Sequence, residues 1–281
     1  MRNNIPPFLI ALFLCCFLSF EATAEPISKA QWPQQRGIFT LYSKKALALL
    51  DTKEKLQTLA TGFEWVEGPV WVEEGNYLLF SDIPTNTVYR YDHKNGLQTY
   101  LSNSGFSNGL RISAKNELLL MQSRSRVVAK MKAPLTAPRA DFETLANHYH
   151  GKLLNSPNDS ALDANGNLYF TDPPYGLPKQ MTDPAKALNF QGVYKLTASG
   201  ELSVIDDQLT FPNGIALSTN NKWLYVAVSD EKQPAWYRYQ LDESGQLVGK
   251  ELFYQPSNVS ADVIGAPDGL KVHSSGWIFA T

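Results

Sequence analysis

The sequence has little of the residues that announce thiol or imidazole chemistry. Of 281 residues, two are cysteine and four are histidine. Both cysteines, Cys15 and Cys16, fall inside an N-terminal apolar run, so the chain from about Glu25 onward carries none. Disulfides, thiolate nucleophiles and cysteine metal sites are thereby excluded from that part. Gly105-Phe106-Ser107-Asn108-Gly109 has the Gly-x-Ser-x-Gly spacing, but it leads into a strand pattern and not into a helix. It is therefore no nucleophile elbow, and a serine-hydrolase mechanism is left without support. There is no basic block and the formal net charge is −2, which argues against nucleic acid or an anionic membrane surface as partner. Nor does any long segment keep a helical period, which removes a βα barrel.

The first two dozen residues read as an address rather than as fold. Arg2 gives a positive start, residues 8–20 form an apolar run, and Ala22-Thr23-Ala24 is a small-residue cleavage site. The run is shorter than the roughly 20 residues that a spanning helix needs. Leu14 stands before Cys15 where lipid attachment would want a small residue. The expectation is a signal peptide over 1–24 and a mature chain, 25–281, exported to the periplasm or secreted, free of the membrane once cleaved; an uncleaved anchor is the alternative. A cysteine-free exported chain of this length can rest on its own core.

What the sequence does have is a repeated pattern, clearest over residues 156–177. A polar turn (Pro157, Asn158, Asp159) leads through Ala161 and Asp163 to Asn165-Gly166, then to an apolar strand, 168–171, that ends on Asp172 before two prolines. Asn-Gly between two short alternating runs signals a hairpin. The pattern returns from Glu67-Gly68 to a strand at 77–80, and from Asn108-Gly109 to one at 118–121. It returns again from Asn213-Gly214 to 224–228, and from Asp268-Gly269 to 277–280. Residues 87–91, 193–196 and 236–241 alternate as further strands. Units recurring about every 40–55 residues have the period of propeller blades. The fold expected is all-β, a β-propeller whose C-terminal blade is incomplete in this chain, since residue 281 comes just after the second strand of the fifth unit. Residues 44–50 suit either a helical turn or a strand.

In a propeller the first strand of each unit lines the axis. Glu67, Asn108, Asn158, Asn213 and Asp268 occupy one register and would arrive at one height. Two carboxylates among neutral amides make an all-oxygen set of the kind that Ca²⁺ accepts. The absence of His and Cys from the set disfavours zinc. Asn-Gly and Asp-Gly are also ordinary turn dipeptides; Glu67, which is not a turn residue, resists that simpler reading.

The motifs EGPVW, KLLNSPND, YFTDPPYGL, FPNGIAL and PDGLKV resemble, in order and from about residue 63 to 281, the gluconolactonase/senescence-marker-protein (regucalcin-like) family of calcium-dependent six-bladed propellers. The resemblance implies six blades and hydrolysis of sugar lactones such as gluconolactone. Glu67, Asn213 and Asp268 would be the metal ligands, Asn158 would contact the metal or substrate, and Asp268 would also be the candidate general base. It implies calcium as cofactor, with Zn²⁺ or Mn²⁺ as alternative occupants.

Other residues carry weaker cases. Asn108 shares the register as a pocket-lining or a turn residue. Asp172 and Tyr175, on a proline-held loop at a strand end, are candidates for substrate contact or simple loop residues. Asp159 reads as a turn residue satisfying backbone donors. His148 and His150 have pair spacing but no acidic neighbour, and read as solvent-exposed. The rival functions are hydrolysis of aryl esters or phosphotriesters at the same site, and a non-catalytic calcium- or sugar-binding propeller. The oligomeric state is not written in the sequence.

Overall fold

The computed structural model describes residues 33–36, 39–51, 53–256 and 265–281. The expected signal segment, 1–24, lies outside them. A short hairpin, β1 (Gln34–Arg36) with β2 (Phe39–Leu41), leads to a 3-10 turn at Lys44–Ala48. The Ser43 hydroxyl caps that turn by accepting the Lys45 N–H at 3.3 Å.

Five units follow. The first is β3 (Val66–Val72), β4 (Tyr77–Asp82), β5 (Thr87–Asp92) and β6 (Gly96–Ser102). The second is β7 (Ser107–Ile112), β8 (Leu118–Gln122), β9 (Val127–Met131) and β10 (Phe142–Ala146). A small hairpin, β11 (His148–Tyr149) with β12 (Lys152–Leu153), then intervenes. The third unit is β13 (Ser160–Leu162), β14 (Leu168–Asp172), β15 (Gly192–Leu196) and β16 (Leu202–Asp206). The fourth is β17 (Pro212–Leu217), β18 (Trp223–Val228), β19 (Ala235–Leu241) and β20 (Leu247–Tyr254). The fifth is the pair β21 (Leu270–Val272) and β22 (Ile278–Ala280). Each four-stranded unit is an antiparallel meander in chain order. The only other helical element among the described residues is a 3-10 turn at Gln180–Thr182.

The hairpin chemistry is the expected one. Asp163 accepts the N–H groups of Asn165 and Asn167, each at 2.9 Å. Asn116 and Asn221 turn their hairpins with φ of 58° and 56°, a region that Asn enters more readily than most residues.

Packing explains why the second strands read as unbroken apolar runs. Leu118 and Leu120 pack toward Leu79 and Val88 of the first unit, while Leu119 and Met121 pack toward Leu168 and Phe170 of the third. Tyr169 turns the other way, to Ile215 and Val226 of the fourth unit, and Ala227 and Tyr225 meet Leu270 and Ile278 of the fifth. Each middle sheet is therefore covered on both faces, so its second strand has no polar face to show. The first strands neighbour one another in the same sequence, β3 to β7 to β13 to β17 to β21. The result is an all-β, propeller-like stack in which the first strand of each unit faces a common interior.

Candidate functional site

The site is built where each unit enters its first strand. Asp82, at the end of β4, accepts the N–H groups of Glu64 at 3.2 Å and Trp65 at 2.9 Å, which fixes the approach to β3. The indole N–H of Trp65 then donates to Glu67 Oε1 at 2.9 Å. The pairing register shifts between Glu67 and Val70, between Ser107 and Leu110, and between Pro212 and Ile215. These irregularities fall at Glu67, Asn108 and Asn213, and a bulge re-aims the side chain it carries.

Neighbouring units lock at the same level. Gly109 N–H donates to the Asn158 carbonyl at 2.7 Å, and Gly214 N–H to the Asp268 carbonyl at 3.1 Å. A Cβ on Gly109 would lie 2.6 Å from that Asn158 oxygen, and one on Gly214 would strike the Asp268 oxygen. Glycine is needed at both because another backbone passes where a side chain would begin. Serine and threonine hydroxyls finish the seams: Ser81 donates to the Asn108 carbonyl at 2.9 Å and Thr171 to the Asn213 carbonyl at 2.7 Å.

Electrostatics identify which side chains share the site. Burial pushes the Glu67 carboxyl up to about 8, and the nearby Asp268 charge adds to the rise. The Trp65 hydrogen bond opposes it. Asp268 is also raised, by burial and then by Asp159, while a hydrogen bond from the Asn213 amide pulls it back. Asn213 Nδ2 donates to Ser229 Oγ at 2.9 Å, and Ser229 Oγ in turn donates to the Pro267 carbonyl. Two partly buried acids that are both raised, each with another acid among its causes, are short of positive charge.

Tyr175 belongs to this group. Its phenol is hydrogen-bonded with Ser229, is pushed up to about 12 by burial, and feels Asp268, Asp230 and Glu67. Its ring stacks on Phe211, centroids 5.7 Å apart. Phe211 holds φ of 48°, with its N–H bonded to Gln191 Oε1 at 2.9 Å. Asn158 is buried just before β13, its N–H donating to the Thr171 carbonyl at 2.9 Å. Asn108 is buried within β7.

Asp172, only three residues from Tyr175, goes elsewhere. It is fully buried, and its two oxygens accept the N–H groups of Asn155 and Ser156, each at 2.7 Å. Burial pushes its carboxyl up to about 7 against those two donors. This is the Asp82 arrangement repeated in the third unit: Asp172 holds the segment that carries Asn158. His148 and His150 are both exposed, the first 2.8 Å from Asn147 Oδ1 and the second stacked on Tyr149.

Two charged residues, Arg111 and Lys271, were missed by reasoning from the sequence. Asp159, read as a turn residue that satisfies backbone donors, does that and also faces both of them. Asp159 Oδ1 accepts the Ser160 N–H at 2.8 Å and lies 3.9 Å from Arg111 Nη2, while its Oδ2 lies 3.9 Å from Lys271 Nζ. The available signal was the repeat itself, since Asp159 replaces the glycine of four other units and Arg111 and Lys271 share one later register. The oxygen set that could hold a hard cation is Glu67, Asn158, Asn213 and Asp268. Among the described residues no group of three or more His, Cys, Asp or Glu is arranged to hold a metal. That accords with a set in which two of the four donors are amides and the third acid, Asp159, faces two cations.

Comparison with known proteins agrees with this layout. Residues 65–281 match the SMP-30/Gluconolactonase/LRE-like region. A gluconolactonase of Zymomonas mobilis is 34% identical over 260 residues, covering 87% of this chain and 72% of that protein. A diisopropyl-fluorophosphatase of Loligo vulgaris is 27% identical over 73% of this chain and 67% of its own length. Among solved structures, a gluconolactonase of Xanthomonas campestris superposes with a TM-score of 0.67 at 28% identity, over 80% of this chain and 72% of that one. With the profile covering all five units and the Zymomonas relative aligned along most of its length, this chain belongs to the SMP-30/gluconolactonase/LRE-like family.

Proposed function

We propose that the protein is a carboxylic ester hydrolase that opens sugar lactones of the gluconolactone type, using a calcium ion held by Glu67, Asn158, Asn213 and Asp268. The observation that carries the reading is the partly buried pair Glu67 and Asp268 beside the Asn213 amide, both carboxyls raised by burial and Glu67 raised further by the Asp268 charge. The names of the Zymomonas and Xanthomonas relatives supply the substrate class. Calcium bound there would polarise the lactone carbonyl as a Lewis acid. Asp268 takes the proton of the attacking water, and the water oxygen bonds to the carbonyl carbon. Collapse of the tetrahedral intermediate breaks the ring C–O bond, and the ring oxygen receives the proton from Asp268, giving the hydroxy acid. The Asn158 amide would donate to the developing oxyanion, and the Tyr175 phenol, neutral at assay pH, would turn its proton from Ser229 to a substrate oxygen. A six-bladed ring and an exported mature chain from Glu25 belong to the same reading, supported by the repeat and by the N-terminal residues.

The test is the initial rate of gluconolactone opening by the chain from Glu25, corrected for spontaneous hydrolysis, with chelator and with calcium restored. Turnover that chelator removes and calcium restores is the expected result, with Asp268→Asn lowering kcat by about 10²–10⁴-fold. Calcium binding without turnover on any ester supports a non-catalytic binding propeller instead. A second reading, hydrolysis of phosphotriesters or aryl esters, is favoured by the fluorophosphatase relative and by the Tyr175–Phe211 aromatic stack beside the acids. Faster turnover of a fluorophosphate ester than of the lactone selects it.

A further inference from the structure

The first strands carry a second layer of side chains. Three residues beyond Asn108, Asn158, Asn213 and Asp268 stand Arg111, Ala161, Ala216 and Lys271. On extended strands that spacing is about 10 Å. These four line a cavity of about 250 Å³, bounded also by Ser218 and Thr219 from the turn after β17. The alanines leave the room and the two cations supply the charge.

Asp159 lies between the cations, 3.9 Å from each. One carboxylate against two cations leaves the layer with one positive charge in excess. Both distances are long for a charge-assisted hydrogen bond, which closes to about 2.7–2.9 Å. Arg111 Nη2 donates to the Ser160 carbonyl and Lys271 Nζ to the Leu270 carbonyl at 3.1 Å, while Arg111 Nε is buried with no acceptor. A purely structural ion triad would be closed up and filled with side chains. This one is loose, carries excess charge and opens on a polar cavity of small-molecule size.

We propose that this cavity is a binding site for a small carboxylate anion, held between Arg111 and Lys271 with Ser218 and Thr219 at its edge. The acid released by lactone opening falls in this class, but the site stands on its own geometry and its occupancy does not require turnover. It lies one layer away from the Glu67–Asp268 pair, on the same strands.

The experiment is calorimetric titration of the full chain with sodium gluconate and with sodium acetate, in chelator, with sodium chloride holding ionic strength constant. Saturable binding of gluconate is expected, unchanged in Glu67→Gln and weakened about tenfold in Lys271→Met. Lys271 is nearly half exposed, so this variant keeps the fold. Arg111→Lys keeps the charge but loses the planar fork and is expected to weaken binding as well. Binding of both anions, or of gluconate alone, supports the site. No saturable binding, or binding that Glu67→Gln abolishes and Lys271→Met leaves intact, overturns it.

Discussion

Gly109 donates its backbone N–H to the Asn158 carbonyl at 2.7 Å, at a point where a methyl group on Gly109 would also lie 2.9 Å from Asp159 Cα. One glycine therefore sets the distance between the second and third units and the height of two site residues. Gly109→Ala forces a backbone to move, and the expected cost is about 1–3 kcal/mol. Gly269 occupies the equivalent register, yet a Cβ there would meet only Thr281 Oγ1, at an ordinary 3.4 Å. Gly269→Ala should stay within about 0.5 kcal/mol of the parent. Urea unfolding of the two variants checks the contrast, and equal losses would contradict it.

Glu67 is the only glutamate in the repeat register, and its carboxylate is held by the Trp65 indole at 2.9 Å. Glu67→Gln keeps the shape and removes the charge. Calcium affinity should fall on the order of 100-fold, because ligand charge sets the affinity of oxygen sites. The rise in melting temperature on adding calcium should shrink accordingly. Calcium affinity equal to that of the parent in this variant would remove Glu67 from the proposed ligand set.

The first two strands of every unit were legible because two independent signals agree there. Asp163, Asn116 and Asn221 close the turns through side-chain capping or left-handed backbone, and unbroken runs such as 118–121 need partners on both faces. The outer strands were harder. β20 (Leu247–Tyr254) exposes Val248 and Leu252 and alternates weakly, so its pattern does not separate an edge strand from a loop. At the site, register placed Glu67, Asn213 and Asp268 at one level because chain entry repeats in each unit. It could not distinguish Tyr175 from Asp172, since a loop's sequence does not say which residue turns toward the acids and which caps N–H groups. Arg111 and Lys271 share a register of the repeat, but that alone did not mark them as partners. Alternation tells which face a charge is on, and only the folded arrangement shows that the two cations meet at Asp159.

Asp172 makes a prediction about pH. Its carboxyl sits up at about 7 in the folded chain, while an unfolded aspartate titrates near 4. Between those values the unfolded chain has released a proton that the folded chain still holds. Stability should therefore decline as pH rises from about 4 to about 7 and level off above. Asp172→Asn removes this slope. It also turns one acceptor into a donor facing a backbone N–H at Asn155 or Ser156, which should cost about 1–3 kcal/mol. Thermal unfolding of parent and variant across that pH range measures both effects, and a variant that keeps the parent's slope would assign it to other groups.

Tyr175 separates a substrate contact from a structural one. Its phenol is shared with Ser229, which also receives the Asn213 amide at 2.9 Å, so the ring and its hydroxyl do different jobs. The ring is anchored by Phe211, with planes 19° apart, and should hold its place in Tyr175→Phe. That variant loses only the hydroxyl, so its melting temperature should stay within about 2 °C of the parent. If the phenol donates to the substrate in the transition state as well as in the bound lactone, kcat/KM should fall about tenfold. Most of that loss should appear in kcat if the bond strengthens as charge develops on the substrate oxygen, and in KM if it does not. Because the phenol titrates near 12, the loss should be constant from pH 6 to 9. A loss that grows across that range would mean that Tyr175 acts through the protonation of its acidic neighbours. An unchanged kcat/KM would leave it as a wall that only carries its side of the Phe211 stack.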